Sequence, residues 1–140
     1  MSKTAELEAR RAERKAAKEA ARGAQYEKDL ESVSTLEDVN GYELDISLRV
    51  SNFTDGLPSL VGVRAPSELE YKRYFQKLNR AGNADAKMQA HAEIAKCCWA
   101  YPADEDTRKA MMAANPGLMV GVGNLAIKLG EMQTEEEGKG

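Results

Sequence analysis

Residues 43–50 read Glu43-Leu44-Asp45-Ile46-Ser47-Leu48-Arg49-Val50. Leu44, Ile46, Leu48 and Val50 alternate with Glu43, Asp45, Ser47 and Arg49, and this period of two places the apolar side chains on one face of a strand. The following residues include Asn52, Asp55, Gly56 and Pro58 and read as a loop over 51–58, after which Leu60 to Arg64 forms a second short strand. Two strands joined in this way predict an antiparallel hairpin over 43–64. Such a hairpin needs helices on its apolar face to be stable.

Those helices follow in the chain. Ser67 and Glu70 have capping-box spacing behind Pro66. Tyr71, Tyr74, Phe75 and Leu78 fall at i, i+3, i+4 and i+7, which predicts an amphipathic helix over 68–80 ended by Gly82. Asp85 is placed to cap a second helix that runs to about Trp99, with Met88, Ala92, Ala95 and Trp99 on one side. Pro102 stops it, because a residue before proline is pushed out of helical geometry. Asp104 or Asp106 starts a third helix to about Ala114. Asn115-Pro116-Gly117 breaks the chain again, and a fourth helix covers about 117–131. In that helix Leu118, Val122, Leu125, Ala126 and Leu129 share a face, while Met119, Val120 and Ile127 fill much of the remainder. A helix apolar nearly all round is central to a core or covered by a partner.

The N-terminal stretch differs in composition. Residues 3–31 are rich in Ala, Glu, Lys and Arg, all strong helix formers. They carry eight basic and seven acidic residues but only Leu7, Tyr26 and Leu30 as large apolar ones. Such a helix cannot bury a continuous stripe, so 1–31 is expected to form a charged helical arm with a weak point at Gly23. Residues 32–41 read as a polar connection ending in the Asn40-Gly41 turn signal. At the other end, Glu135, Glu136 and Glu137 predict a disordered acidic tail over 133–140. The fold expected is therefore α+β and mostly helical: a short antiparallel hairpin packed on about four helices within one domain (32–132), with the arm in front and the tail behind.

The 140 residues carry a net charge of −3, so the molecule as a whole does not announce a polyanion partner. Cys97 and Cys98 are adjacent, a poor geometry for a disulfide, and are expected as thiols in a reducing compartment. No signal-peptide pattern or membrane-length apolar run is read from the sequence.

A search for chemistry finds no catalytic, metal or cofactor constellation. His91, the only histidine, is six residues from Cys97, which is not a same-face helical spacing, and about two turns from Cys98. It is expected at the surface. Asp104, Glu105 and Asp106 suit the positive end of a helix dipole. Gly121-Val122-Gly123 lies inside an apolar helix and lacks the strand and third glycine of a dinucleotide fingerprint, so close helix packing explains it. Residues 10–22 hold six Lys/Arg against Glu13 and Glu19. No aromatic residue interleaves with them, and nucleic acid is not the expected partner. The methionines point elsewhere: Met111, Met112 and Met119 gather around the Asn-Pro-Gly break, and flexible thioethers suit surfaces that accept apolar clients. With Tyr71, Tyr74, Phe75, Leu118 and Val122 they make up the candidate partner-binding residues.

Val63-Arg64-Ala65-Pro66-Ser67, followed by Glu70-Tyr71-Lys72-Arg73-Tyr74-Phe75, resembles the Arg-x-Pro, Glu-Tyr and Phe stretch of tail assembly chaperones of long-tailed bacteriophages. Cys98-Trp99-Ala100-Tyr101-Pro102-Ala103-Asp104 and Asn115-Pro116-Gly117-Leu118 match that family's two helix breaks in order and similar spacing. The resemblance covers about residues 43–131 and leaves the arm outside. It implies a non-enzymatic protein of the infected host's cytoplasm that binds the tape measure protein and keeps it soluble while tail tube protein assembles around it. Such proteins often self-associate, and many of their genes also give a longer frameshifted product. A structural virion protein (head or tail connector) and a small nucleic-acid-binding regulator using the basic arm are the alternative expectations.

Overall fold

The structure is a computed structural model describing residues 2–139, with side chains described as far as Met132. Its elements are α1 (Lys3–Asn40), β1 (Gly62–Val63), α2 (Glu68–Arg80), α3 (Ala84–Cys98), β2 (Trp99–Tyr101), α4 (Glu105–Ala114) and α5 (Leu118–Lys139). The mostly helical α+β class read from the sequence is the class observed.

The chief departure lies at the N-terminus. The segment 32–41 is not a connection. The helix continues to Asn40 and is stopped by Gly41, whose φ of 77° places it in the left-handed region that favours glycine. Residues 6–20 are exposed, as a projecting arm requires. From Lys18 onward α1 reaches the domain. Lys18 Nζ donates to Asn52 Oδ1 (3.1 Å) and Arg22 to the Val50 carbonyl (2.5 Å). The Arg49 guanidinium covers the Tyr26 ring at 4.6 Å. Val33 is buried with Leu44, Leu60 and Tyr101, and Tyr26, Leu36 and Ile46 pack around this small core.

Asp29 lies at the centre of that contact and is fully buried. Its carboxylate accepts from Gln25 Nε2 (2.9 Å), the Tyr101 hydroxyl (2.5 Å), the Ser59 amide (2.8 Å) and the Ser59 hydroxyl (2.5 Å). Four donors satisfy a group that would otherwise be costly to bury. Burial, with the Asp29 acceptor adding to it, pushes the Tyr101 phenol above its ordinary range, so that hydroxyl keeps its proton and donates.

The hairpin is present in reduced form. Asp45 and Val63 exchange both backbone hydrogen bonds (2.8 and 2.9 Å), Val61 N donates to Leu48 O, and Val50 N donates to Ser59 O. These contacts amount to isolated antiparallel bridges at Asp45–Val63 and Arg49–Leu60. The cause is local. Asp45 Oδ1 accepts from the Ser47 amide and hydroxyl, a turn that competes with the ladder. As a result Leu44 and Ile46 join the core under α1, while Leu48 and Val50 join the main helical core. The expected single apolar face is thus divided between two layers. The regular pairing is between β1 and β2, antiparallel, with Gly62 opposite Tyr101. Residues 99–101 therefore leave the helix expected to reach Trp99 and become the partner strand. A Cβ at Gly62 would lie 2.9 Å from Tyr101 Cβ, so this close crossing admits only glycine.

The main core contains Val50, Phe53, Val61, Val63, Ile94, Ala95, Cys98, Trp99, Met111, Leu118, Val122 and Ala126. Helix α2 has the expected limits and capping box, with Ser67 N donating to Glu70 Oε1 (2.8 Å) and Glu70 N to Ser67 Oγ (3.2 Å). Asn83, not Asp85, caps α3, and Asp104 caps α4. The short residues of α5 let α3 and α2 approach. A Cβ on Gly123 would meet His91 Nε2 at 2.3 Å, and one on Gly130 would meet the Tyr71 ring at 2.6 Å. His91 is accordingly wedged half-buried between α3 and α5, with Nε2 3.0 Å from the Val120 carbonyl, rather than lying free on the surface. Helix α5 runs on past the expected limit at 131 to Lys139, through nearly all of the stretch expected as a disordered acidic tail over 133–140.

Candidate functional site

Helices α4 and α5 meet at an angle of 111°. Asn115 sets this elbow. Its Oδ1 accepts from Asn52 N (2.8 Å) and Ser51 Oγ (3.2 Å), while its Nδ2 donates to Asn52 O (3.1 Å) and Met111 O (3.2 Å). Asn52 Nδ2 returns a bond to the Ala114 carbonyl (3.2 Å). The Asn-Pro-Gly break is thereby locked to the loop after the first extended segment.

Beside the elbow opens a groove of about 530 Å³ lined by Lys96, Trp99, Ala103, Glu105, Arg108, Lys109, Met112 and Met119. Met112 projects from α4 and Met119 from α5, so the two thioethers flank the elbow on the same groove. Trp99 closes the floor, its indole N–H donating to the Tyr101 carbonyl (2.8 Å). Arg108 is held over the Trp99 ring (5.5 Å) and donates from Nε to the Pro102 carbonyl (2.5 Å). Burial lowers the Arg108 pKa somewhat, with Glu105 opposing, but an arginine so placed remains a cation at neutral pH. Lys96, Arg108 and Lys109 face one acid, Glu105, so the groove has an apolar floor and a basic rim.

A second, smaller groove of about 390 Å³ lies between α2 and α3, where Lys77 pairs with Glu93 across its mouth. Tyr74 lines it, as does Lys96, which therefore borders both grooves. Tyr71, Tyr74 and Phe75 form an edge-to-face cluster with ring centroids 5.0 Å (Tyr71–Phe75) and 5.6 Å (Tyr74–Phe75) apart. Phe75 is 40% exposed. Burial, then the nearby Glu131 charge, raises the pKa of both tyrosines.

At the base of α2, Arg64 grips Glu70 with two parallel bonds of 2.7 and 2.8 Å. The guanidinium hydrogen bonds hold the Glu70 carboxyl down to about 2 from its ordinary 4.5, against the opposing effect of burial. A carboxylate with a depressed folded pKa contributes stability that is whole above the unfolded value and disappears as pH falls through the folded one. The contribution is thus intact above about pH 5 and lost between 4.5 and 2. Glu70→Gln is expected to cost about 1–2 kcal/mol at pH 7, allowing for solvent screening of this part-exposed pair. The difference from the parent should shrink when urea unfolding is repeated at pH 3.

The sequence-derived candidates divide into three groups. Met112 and Met119 come together in the larger groove, and Tyr71, Tyr74 and Phe75 come together on α2. Met111, Leu118 and Val122 are 1%, 6% and 0% exposed and belong to the core, out of a partner's reach. Trp99, Lys96, Arg108 and Lys109 were not singled out in the sequence. The cysteines are free; burial raises the Cys97 thiol and pushes Cys98 up to about 12, which leaves little thiolate at neutral pH. Among the described residues no three His, Cys, Asp or Glu side chains gather as a metal site, and no single helix is long and apolar enough to cross a membrane.

Comparison of the chain with protein-family models, with curated proteins and with solved structures returned no match.

Proposed function

We propose that this protein is a non-enzymatic assembly factor that holds an amphipathic helix of another polypeptide in the groove between α3, α4 and α5. The resemblance at Arg64-Ala65-Pro66, Glu70-Tyr71, Tyr101-Pro102 and Asn115-Pro116-Gly117 narrows the role to a bacteriophage tail assembly chaperone acting in the host cytoplasm. Its client is then the tape measure protein, which it delivers to the assembling tail tube protein.

The observation that carries this reading is the placement of Met112, Met119 and Trp99 in one open cleft. Thioethers adapt to varied apolar side chains, and a helix docked in a groove presents anchors at i, i+3 or i+4 to such a floor. The rim of Lys96, Arg108 and Lys109 favours a client helix flanked by acids and steers its approach. A long client that exposes repeated apolar faces before assembly needs this kind of cover.

Co-expression with the client tests the proposal. The parent protein should keep the client in the soluble fraction. Met112→Glu/Met119→Glu, which alters two part-exposed side chains, should keep its own fold by circular dichroism yet reduce soluble client about tenfold, as expected when charges enter an apolar contact. Equal protection by the double variant would remove this groove from the account.

A further inference from the structure

The arm carries a second surface, unrelated to the Met-lined groove. An α-helix turns by about 100° per residue. On α1 this rotation brings Lys3, Arg10, Arg11, Arg14, Lys15, Lys18 and Arg22 into one arc of about 140°. Glu6, Glu8, Glu13 and Glu19 lie outside that arc and flank its two edges. Counted along the chain, seven cations and four acids between residues 3 and 22 look mixed. On the helix they are segregated by face.

The basic face is also oriented. Lys18 and Arg22 belong to it and donate to Asn52 and Val50, and Asp29, Val33 and Leu36 continue the same side of α1 where it docks. The stripe beyond Lys18 is the overhang of that docked face, extending about 22 Å past the last anchor. Arg10, Arg11, Arg14 and Lys15 are exposed, and among the described residues no ion pair involves α1. Arg14 Nε reaches only the Arg10 carbonyl, at 3.3 Å.

We infer that this stripe is a phosphate-backbone contact for nucleic acid, sequence-independent and electrostatic. Two features favour phosphate over an acidic protein. A protein interface of useful strength centres on aromatic or large apolar anchors, and the stripe offers only Leu7 among its cations. A polyanionic rod with evenly spaced charges instead suits a face of Lys and Arg without apolar anchors, binding through release of counterions. The absence of interleaved aromatics excludes base stacking, so the contact reads charge and shape, not sequence.

The test uses the full chain and a fluorescent 20-base-pair duplex, with polarisation read across a salt series. Micromolar binding is expected near 50 mM salt, with log K falling against log salt at a slope of about −4 as roughly four or five phosphates are neutralised. The variant Glu13→Arg/Arg14→Glu keeps composition, net charge and helix while moving one cation out of the stripe. It should bind about 5–10-fold more weakly with a shallower slope. The Met112→Glu/Met119→Glu variant should bind the duplex less than twofold differently from the parent, which keeps this surface separate from the client groove. Absence of binding at low salt, equal binding by the exchanged variant, or equal affinity for poly-glutamate would each overturn the inference, the last in favour of an acidic protein.

Discussion

Asp29→Ala is expected to lower the free energy of unfolding by about 3–5 kcal/mol. The Asp29 carboxylate accepts four hydrogen bonds at a position with no exposure. Its removal leaves the Ser59 amide, the Ser59 hydroxyl and the Tyr101 hydroxyl as buried donors without an acceptor. Each such orphan costs about 1–3 kcal/mol, and relaxation or entry of water recovers part of the sum. The loss is not confined to stability. Asp29 ties α1 to the first extended segment and to β2, so the variant should also free the docked half of the helix. Proteolysis under native conditions should then cut between residues 22 and 40, where the parent is protected. Asp29→Asn retains one acceptor oxygen and should lose about half as much. A cost below about 1 kcal/mol for the alanine variant in urea titration would show that α1 is not fastened in this way.

Asn115→Ala should cost about 2–4 kcal/mol. The side chain uses both of its oxygen's acceptor positions and both amide hydrogens, joining the elbow to Ser51, Asn52 and Met111. Alanine removes all four bonds, among them the buried one to the Met111 carbonyl, and takes the partner from the part-buried Asn52 amide. Because Met112 and Met119 flank this elbow, the change should also loosen the groove, so that client binding weakens more than stability alone explains. Asn115→Asp is an informative companion. It keeps the two acceptor positions but sets a carboxylate against the Asn52 and Met111 carbonyls, and it should be destabilised at neutral pH and partly recover under acid. Equal unfolding midpoints for Asn115→Ala and the parent would contradict this role.

The elements legible in the sequence were those specified by short-range chemistry. The capping box at Ser67 and Glu70, the apolar spacing of Tyr71, Tyr74 and Phe75, the Asp104 cap and the break at Pro116 depend on residues within one or two turns of each other. The helices they predict are those observed. The misread segments depend on partners far along the chain. Residues 32–40 look polar enough for a connection, yet Val33 and Leu36 complete a small core against Leu44, Leu60 and Tyr101. Asp29 looks like one more solvated acid of a charged helix, and only its contact with Ser59 and Tyr101, 30 and 72 residues away, gives it its role. Trp99 ends a helical pattern in the sequence, but it is claimed with Ala100 and Tyr101 by pairing with β1. The candidate site shows the same division. Met112 and Met119 carried a compositional signal, whereas Met111 and Leu118, beside them in sequence, differ only in the direction they face. Trp99 and Arg108 gave no local hint, because their pairing is made by the turn at Pro102.

The central claim is that a second polypeptide occupies the groove of Met112, Met119 and Trp99. Trp99 is the only tryptophan in the chain and forms part of that floor, so its emission reports the site directly. Titration of the purified protein with a client-derived amphipathic helix should give a saturable change in Trp99 emission. Met112→Glu/Met119→Glu should abolish that change without moving the urea midpoint by more than about 1 kcal/mol in equivalent stability. Tight binding of the client with Trp99 emission unaltered, and with the same affinity in the double variant, would contradict the claim.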